Sequence, residues 1–299
     1  MKVTLSVALA LALGVTILAA QQGGPPDTPA VTVRGQVYTP RSILARNMGT
    51  EEDQTTALAP HKVIGNIYYV GTWTLTSYLI TTPAGHILVN STYERNVPVI
   101  RKSVEQLGFK FEDISILLGT HAHGDHQEGD AAVKELTKAQ VVVMVEDVPA
   151  LTNIKPDGKN HPIDRQIQHG DTVTLGGTTL TAHLTPGHTR GATTWTLPVE
   201  EAGKKYNVVI TASYRAPGTV TPAIQAEFDR TFKYIRTLPC DVQLGDHGGQ
   251  YNMLAKHARI KAGAPNPFID PAGCWLDAEV QEAMLRAQLA QQTGGATAR

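Results

Sequence analysis

Four side chains that bind cations well fall within six positions of one short stretch, Thr120-His121-Ala122-His123-Gly124-Asp125-His126. Imidazole nitrogens and a carboxylate oxygen are the donor set suited to zinc. With 11 His and 14 Asp in 299 residues, His-x-His-x-Asp-His is expected by chance in roughly one such chain in a thousand. A polar loop of solvated histidines is the bland alternative, and that rarity disfavours it. A catalytic zinc takes three protein ligands and leaves a position open, so further donors must come from elsewhere in the chain. His188, after Thr185-Pro186-Gly187, and His247, after Leu244-Gly245-Asp246, both stand where a strand pattern ends. A lone histidine in such a place is more often structural, but a ligand cluster elsewhere reverses those odds. The remaining six (His61, His86, His161, His169, His183, His257) lack a comparable setting.

The elements that must hold these donors can be read around them. The apolar run Ile114-Ser115-Ile116-Leu117-Leu118 predicts a buried strand, and the chain from Asp125 to Thr137 predicts the start of a helix. The cluster then lies on a strand-to-helix loop, where a scaffold can aim several side chains at one point. Upstream, 67–70, 77–80 and 86–89 read as strands, with Pro83-Ala84-Gly85 as a hairpin turn. Val97 to Leu107 has helical spacing and stops at Gly108. Downstream, strands are expected at 141–145, 173–175, 178–184, 193–197, 208–212 and 242–244. Helices are expected at 226–237, 253–262 and 278–291, and 147–170 reads as irregular. No linker divides the two halves, so one domain of two sheets flanked by helices is expected over 61–292. Residues 21–60 read as an extension packed on that domain, with little periodicity, and 293–299 as a disordered tail.

Hydrophobic residues make up 41% of the chain and charged residues 18%, an ordinary globular balance with ample material for a core. A net charge of −1 and the lack of any Lys/Arg-rich run exclude the charge pattern of a nucleic-acid or anionic-membrane binder. Residues 1–20 stand apart. Met1-Lys2 is followed by an apolar run from Val3 to Ala20, with Ala19-Ala20 before Gln21, which reads as a secretory signal peptide. Leu18 sits where a small residue fits better, and an uncleaved anchor is the alternative. The mature protein is expected in the periplasm or secreted, as a monomer without stable membrane association. The only cysteines are Cys240 and Cys274. In an exported protein such a pair suggests a disulfide, worth roughly 3–4 kcal/mol in the chain-entropy picture, with two buried thiols as the alternative.

His121-x-His123-x-Asp125-His126, Pro186-Gly187-His188 and Leu244-Gly245-Asp246-His247 together resemble the metallo-β-lactamase superfamily. They are most similar to the third subclass of metallo-β-lactamases, whose site uses histidines and one aspartate without cysteine. Gly65-Asn66-Ile67-Tyr68-Tyr69-Val70-Gly71-Thr72, Lys261-Ala262-Gly263-Ala264-Pro265-Asn266-Pro267-Phe268 and Cys240 with its later partner add to the likeness, which runs from about residue 60 to 290. The resemblance implies an α/β fold, the four-layer αβ/βα sandwich, with the site at one edge between two sheets. It implies two zinc ions, one held by His121, His123 and His188 and the other by Asp125, His126 and His247. Asp125 would also orient the attacking water. The substrate-carboxylate region would fall at Ser213-Tyr214-Arg215-Ala216-Pro217-Gly218, with Arg215 where relatives often have a second serine. A guanidinium there could grip a carboxylate more strongly than a hydroxyl, or it could be a solvated loop residue. Two departures stand out: Asn90 where many relatives carry Asp, and Gln127-Glu128 where small residues are commoner.

The activity so implied is opening of a β-lactam antibiotic by a water that zinc makes acidic near neutral pH. None of the seven serines begins Ser-x-x-Lys or sits in Gly-x-Ser-x-Gly, so serine hydrolysis finds no support. A hydrolase of the same fold acting on a lactone, thioester or other ester is the alternative, because fold does not decide substrate. An exported zinc-binding protein without catalysis is a third, disfavoured because structural zinc sites are closed.

Overall fold

Apolar residues run almost unbroken through the central strands because both faces of those strands are buried. The computed structural model of the protein describes residues 27–296. The leader expected over 1–20 therefore lies outside the described residues. Seven strands form the first sheet in chain order: β3 (His61–Ile64), β4 (Ile67–Tyr69), β5 (Tyr78–Thr82), β6 (Gly85–Val89), β7 (Ile114–Leu118), β8 (Gln140–Met144) and β9 (Arg165–Ile167). Pairing is antiparallel from β3 to β6 and parallel from β6 to β9. The parallel crossovers carry helices, as they must: α3 (Val97–Gln106), then α4 (Gly124–Gln127) with α5 (Asp130–Thr137), then α6 (Val148–Leu151). The region 147–170 is thus less irregular than its sequence suggests, holding both α6 and the edge strand β9.

The second sheet has five strands, β10 (Thr172–Leu175), β11 (Thr178–Leu184), β12 (Thr193–Glu201), β13 (Lys204–Thr211) and β14 (Val242–Gly245). All its pairs are antiparallel except β13 with β14, which α7 (Pro222–Ile235) connects. Two more helices follow, α8 (Met253–Lys261) and α9 (Leu276–Ala296). The last runs past the expected end at 291 and takes in residues 293–296 of the expected tail.

Strand periodicity assigns each side chain a layer. Tyr78, Ile80, Ile87, Val89, Val142 and Met144 face the second sheet, meeting Trp195, Leu197, Val208, Ile210 and Leu244. Their neighbours Leu79, Leu88, Val141 and Val143 face outward onto Val97, Ile100 and Val104 of α3 and Val133 of α5. On the far side, α7 covers the second sheet: Tyr234 Oη lies 2.7 Å from His183 Nδ1, and Thr231 donates to the Pro186 carbonyl. The result is the expected helix–sheet–sheet–helix sandwich, and Cys240 is bonded to Cys274.

The extension is more ordered than its Pro and Thr content suggests. It forms a hairpin, β1 (Val31–Val33) with β2 (Gln36–Tyr38), then α1 (Pro40–Met48) and α2 (Glu51–Thr55). Both helices begin at a capping box, Thr39 with Ser42 and Thr50 with Asp53. The extension grips the last helix. Arg34 donates to both carboxylate oxygens of Glu279 at 2.7 and 2.8 Å, Arg46 pairs with the buried Asp277, and Ile43 packs on Val280 and Met284.

His61 of β3 stacks on His257 of α8 with ring centroids 4.4 Å apart, its Nε2 buried without a partner. Burial, then the nearby His257 and Lys261, pull the His61 pKa from 6.5 down to about 4. The unfolded chain therefore binds this proton first as pH falls, so the stability His61 contributes above pH 6.5 drains away toward pH 4. In chelator-treated protein, wild type should lose on the order of 2 kcal/mol relative to His61→Phe across that window. Urea unfolding of both at several pH values checks this, and parallel curves would refute it.

Candidate metal centre

Strand ends decide where the donors meet. β7 ends at Leu118, β11 at Leu184 and β14 at Gly245, all at one edge of the sandwich. Parallel pairing of β13 with β14 brings Ser213 and His247 to the same edge, the place where open α/β sheets present ligand sites. The two sheets are fastened there: Leu75 bridges to His247, and the Tyr78 hydroxyl donates to the Gly245 carbonyl at 2.7 Å. Gly187, just before His188, has φ +135°, and a Cβ on it would lie 2.8 Å from the Phe228 ring. Only glycine lets the chain pass so close to α7 and still present His188.

All six expected donors converge. His121, His123 and His188 offer one set of ligand atoms within 4.8 Å of one another, and Asp125, His126 and His247 offer another. His121 Nε2 and His123 Nδ1 lie 3.0 Å apart. His188 Nδ1 donates to the Arg215 carbonyl at 2.7 Å, which leaves Nε2 as a free lone pair. In the second set, Asp125 Oδ2 lies 3.3 Å from His126 Nε2 and 3.7 Å from His247 Nε2. Burial, then the other histidines, hold the His121 pKa to about 4, and burial chiefly pulls His188 well below its usual range. Burial opposes the charge on Asp125, but His126 and then His247 more than offset it and keep the carboxylate ionised. Burial keeps His121, His123, His188 and His247 below their usual range, while at His126 burial is outweighed by Asp125 and Asp246, which raise its pKa. Converging imidazoles and one fixed anion fit a divalent cation in each set, which at His126 would take the place of a proton.

Supporting groups complete the centre; sequence pattern gave no role to Asp246 and did not single out Asp147 or Gln250. Asp246 is fully buried beneath His121, with Oδ2 3.0 Å from His121 Nδ1. Its Oδ1 accepts from Ser213 Oγ at 3.0 Å and Gln250 Nε2 at 2.6 Å. A carboxylate behind a ligating histidine fixes the ring and raises its basicity. Ser213, expected at the substrate carboxylate, lines the cleft but spends its hydroxyl hydrogen on Asp246. Asp147 ties two ligand loops together. Its Oδ2 accepts from Ala122 N–H at 2.9 Å and Thr189 Oγ1 at 3.0 Å, and its Oδ1 from Gly191 N–H at 2.7 Å. Nothing near Asp147 in sequence signals this role. Asn90 takes Thr120 N–H at 2.9 Å and the Thr120 hydroxyl at 3.1 Å, so an amide anchors the start of the ligand loop. Gln127 donates to the His121 carbonyl at 2.8 Å, and Glu128 sits beside Tyr93 with its pKa raised mainly by burial.

The donors open into a cleft of about 190 Å3, walled by Leu44, Asn47 and Met48 of α1, Tyr93 and Arg215. The Arg215 guanidinium has no carboxylate partner among the described residues, and its charge is felt at His247.

Comparison with known proteins places this architecture. Residues 70–201 match the metallo-beta-lactamase superfamily profile. The native FEZ-1 metallo-beta-lactamase from Legionella gormanii superposes with a TM-score of 0.76 at 40% identity, covering 80% of this chain and 98% of that one. The chain belongs to the metallo-beta-lactamase superfamily. BJP-1 of Bradyrhizobium japonicum, a subclass B3 metallo-beta-lactamase, gives a TM-score of 0.75 at 37% identity, covering 82% of this chain and 98% of that one. Among curated relatives, a hydroxyacylglutathione hydrolase from Hyphomonas neptunium is 34% identical over 131 residues, 44% of this chain and 46% of that protein. The chain spans about a quarter to a half of the length of the curated relatives it matches.

His188→Ala should lower bound divalent metal by one equivalent per chain in elemental analysis, and an unchanged count would remove it from the donor set. Asp147→Asn keeps the side chain's size but replaces one accepting oxygen with a donor. Metal affinity measured by chelator competition should fall about 10–100-fold. Equal affinity would show that the link between the two loops does not shape the centre.

Proposed function

We propose that the protein is an exported di-zinc hydrolase that opens the ring of β-lactam antibiotics. One zinc would be held by His121, His123 and His188 and the other by Asp125, His126 and His247. The observation that carries the proposal is two donor sets sharing one cleft, on a chain that covers 98% of FEZ-1 at 40% identity. When bound, such ions would acidify a water, polarise the lactam carbonyl and stabilise the departing nitrogen.

The chain's own residues do the remainder. Asp125 is held ionised and faces the cleft, so it can accept a hydrogen bond from the attacking water and aim it. Asp246, backed by Ser213 and Gln250, fixes the tautomer and pose of His121. Arg215, at the cleft mouth, is placed to grip a substrate carboxylate with two parallel hydrogen bonds. Leu44 and Met48 exclude water from one side of the bound ring. The Cys240–Cys274 bond suits an oxidising compartment, in line with the leader expected over residues 1–20. A monomer acting on a small molecule needs no partner chain for any of these roles.

A second reading, hydrolysis of a thioester, draws on the hydroxyacylglutathione hydrolases among the curated relatives. The test is turnover of penicillins, cephalosporins and carbapenems by the purified zinc-loaded protein, with and without a chelator, beside an acylated glutathione thioester. Chelator-sensitive β-lactam hydrolysis supports the first reading. Thioester cleavage with no lactam turnover overturns it in favour of the second, and bound zinc with neither activity overturns both.

A further inference from the structure

The metal cleft is small for its proposed task. At about 190 Å3 it falls below the roughly 300–1,000 Å3 of pockets that bury a drug-sized ligand. A second chamber of about 320 Å3 lies beside it, and Arg215 lines both. Two walls run from one to the other. Along α1, Leu44 and Asn47 face the cleft while Pro40 and Ile43 face the chamber; along the loop, Ser213 faces the cleft while Ala216 to Gly218 face the chamber. The floor is α9, with Met284 and Leu285. Gln288 Nε2 donates to the Pro217 and Gly218 carbonyls at 2.7 and 2.9 Å, pinning the shared loop to that helix.

We propose that this chamber is a second substrate-binding site, taking the ring substituent next to the carboxylate of a β-lactam whose carboxylate is held by Arg215. The inference rests on the β-lactam reading. Arg215 stands at the junction, so a substrate anchored there by its carboxylate turns the reacting carbonyl toward the donors and the adjoining substituent toward α9. Chemistry narrows the class of group. Apart from Arg215, every lining residue is uncharged: apolar side chains and prolines make up most of the surface, and the polar groups are three glutamine amides of α9 and the Thr28 hydroxyl. Such a lining suits a flat, neutral aryl or heteroaryl arm with a few hydrogen-bonding atoms, and disfavours a second carboxylate, which would enter without a counter-charge of its own. Penicillins, with only small methyl groups beside the carboxylate, would leave the chamber unused.

The test uses two cephalosporins with the same amide side chain. One carries a methyl group beside the carboxylate, the other a styryl group that does not leave on ring opening. The readout is the ratio of kcat/KM for the styryl over the methyl compound, in the zinc-loaded full chain. Gln291→Trp narrows the exposed rim, and Met284→Ala removes floor contacts. Either variant should lower that ratio about tenfold, as expected for losing one good apolar contact, with KM carrying most of the change. A ratio that stays level or rises in both variants overturns the proposal. If wild type hydrolyses neither compound and no penicillin or carbapenem, the β-lactam reading itself fails and the chamber's assignment falls with it. Turnover of a penicillin or carbapenem but of neither cephalosporin overturns the chamber alone. Hydrolysis of both with no effect of the variants sinks the chamber alone.

Discussion

Six donor atoms whose lone pairs point inward repel one another unless positive charge lies between them. His121 Nε2 and His123 Nδ1 are only 3.0 Å apart, and burial keeps these two rings from taking protons, whereas Asp125 and Asp246 outweigh burial at His126 and raise its pKa. The rest of the structure can be understood as what holds that unfavourable convergence in place. The core between the sheets fixes three strand ends, and buried carboxylates then fix the loops beyond them. Asp246 sets one ring from behind, while Asp147 fastens the loop of His121 and His123 to the loop after His188.

Neither sheet could build the centre alone. The first supplies the four donors after β7, and the second supplies His188 and His247. Their meeting depends on sheet-to-sheet packing around Trp195, whose indole N–H also donates to the Gly119 carbonyl at 3.0 Å, at the root of the ligand loop. A large core residue thereby takes part in positioning the site. Loss of packing between the layers and loss of metal binding should therefore share a cause.

The six donors were legible in sequence because their chemistry is scarce and their spacing is local, or because a strand pattern ends just before them. The strands from Tyr78 to Met144 could be located from their apolar runs but not layered, because both faces are buried and no period-two alternation shows. What stayed hidden is non-local. Asp147 makes its three hydrogen bonds to residues 25 to 44 positions away, and no pattern around it marks such reach. Ser213 could be matched to a motif, yet its hydroxyl's partner, Asp246, is set by two strand ends lying side by side. The extension misled for another reason. Its helices are short and weakly periodic, and the signals they do carry are the capping boxes at Thr39 and Thr50, not an apolar stripe.

The grip of the extension on the last helix has a bearing on the order in which the molecule can be finished. A chain made from its N-terminus holds every donor once His247 has emerged, yet one wall of the cleft, α1, is secured by Asp277, and the hairpin before it by Glu279, both still to come. The donor set is thus complete in the chain before the wall that would enclose a ligand can be fastened. Maturation would close with the joining of the two ends.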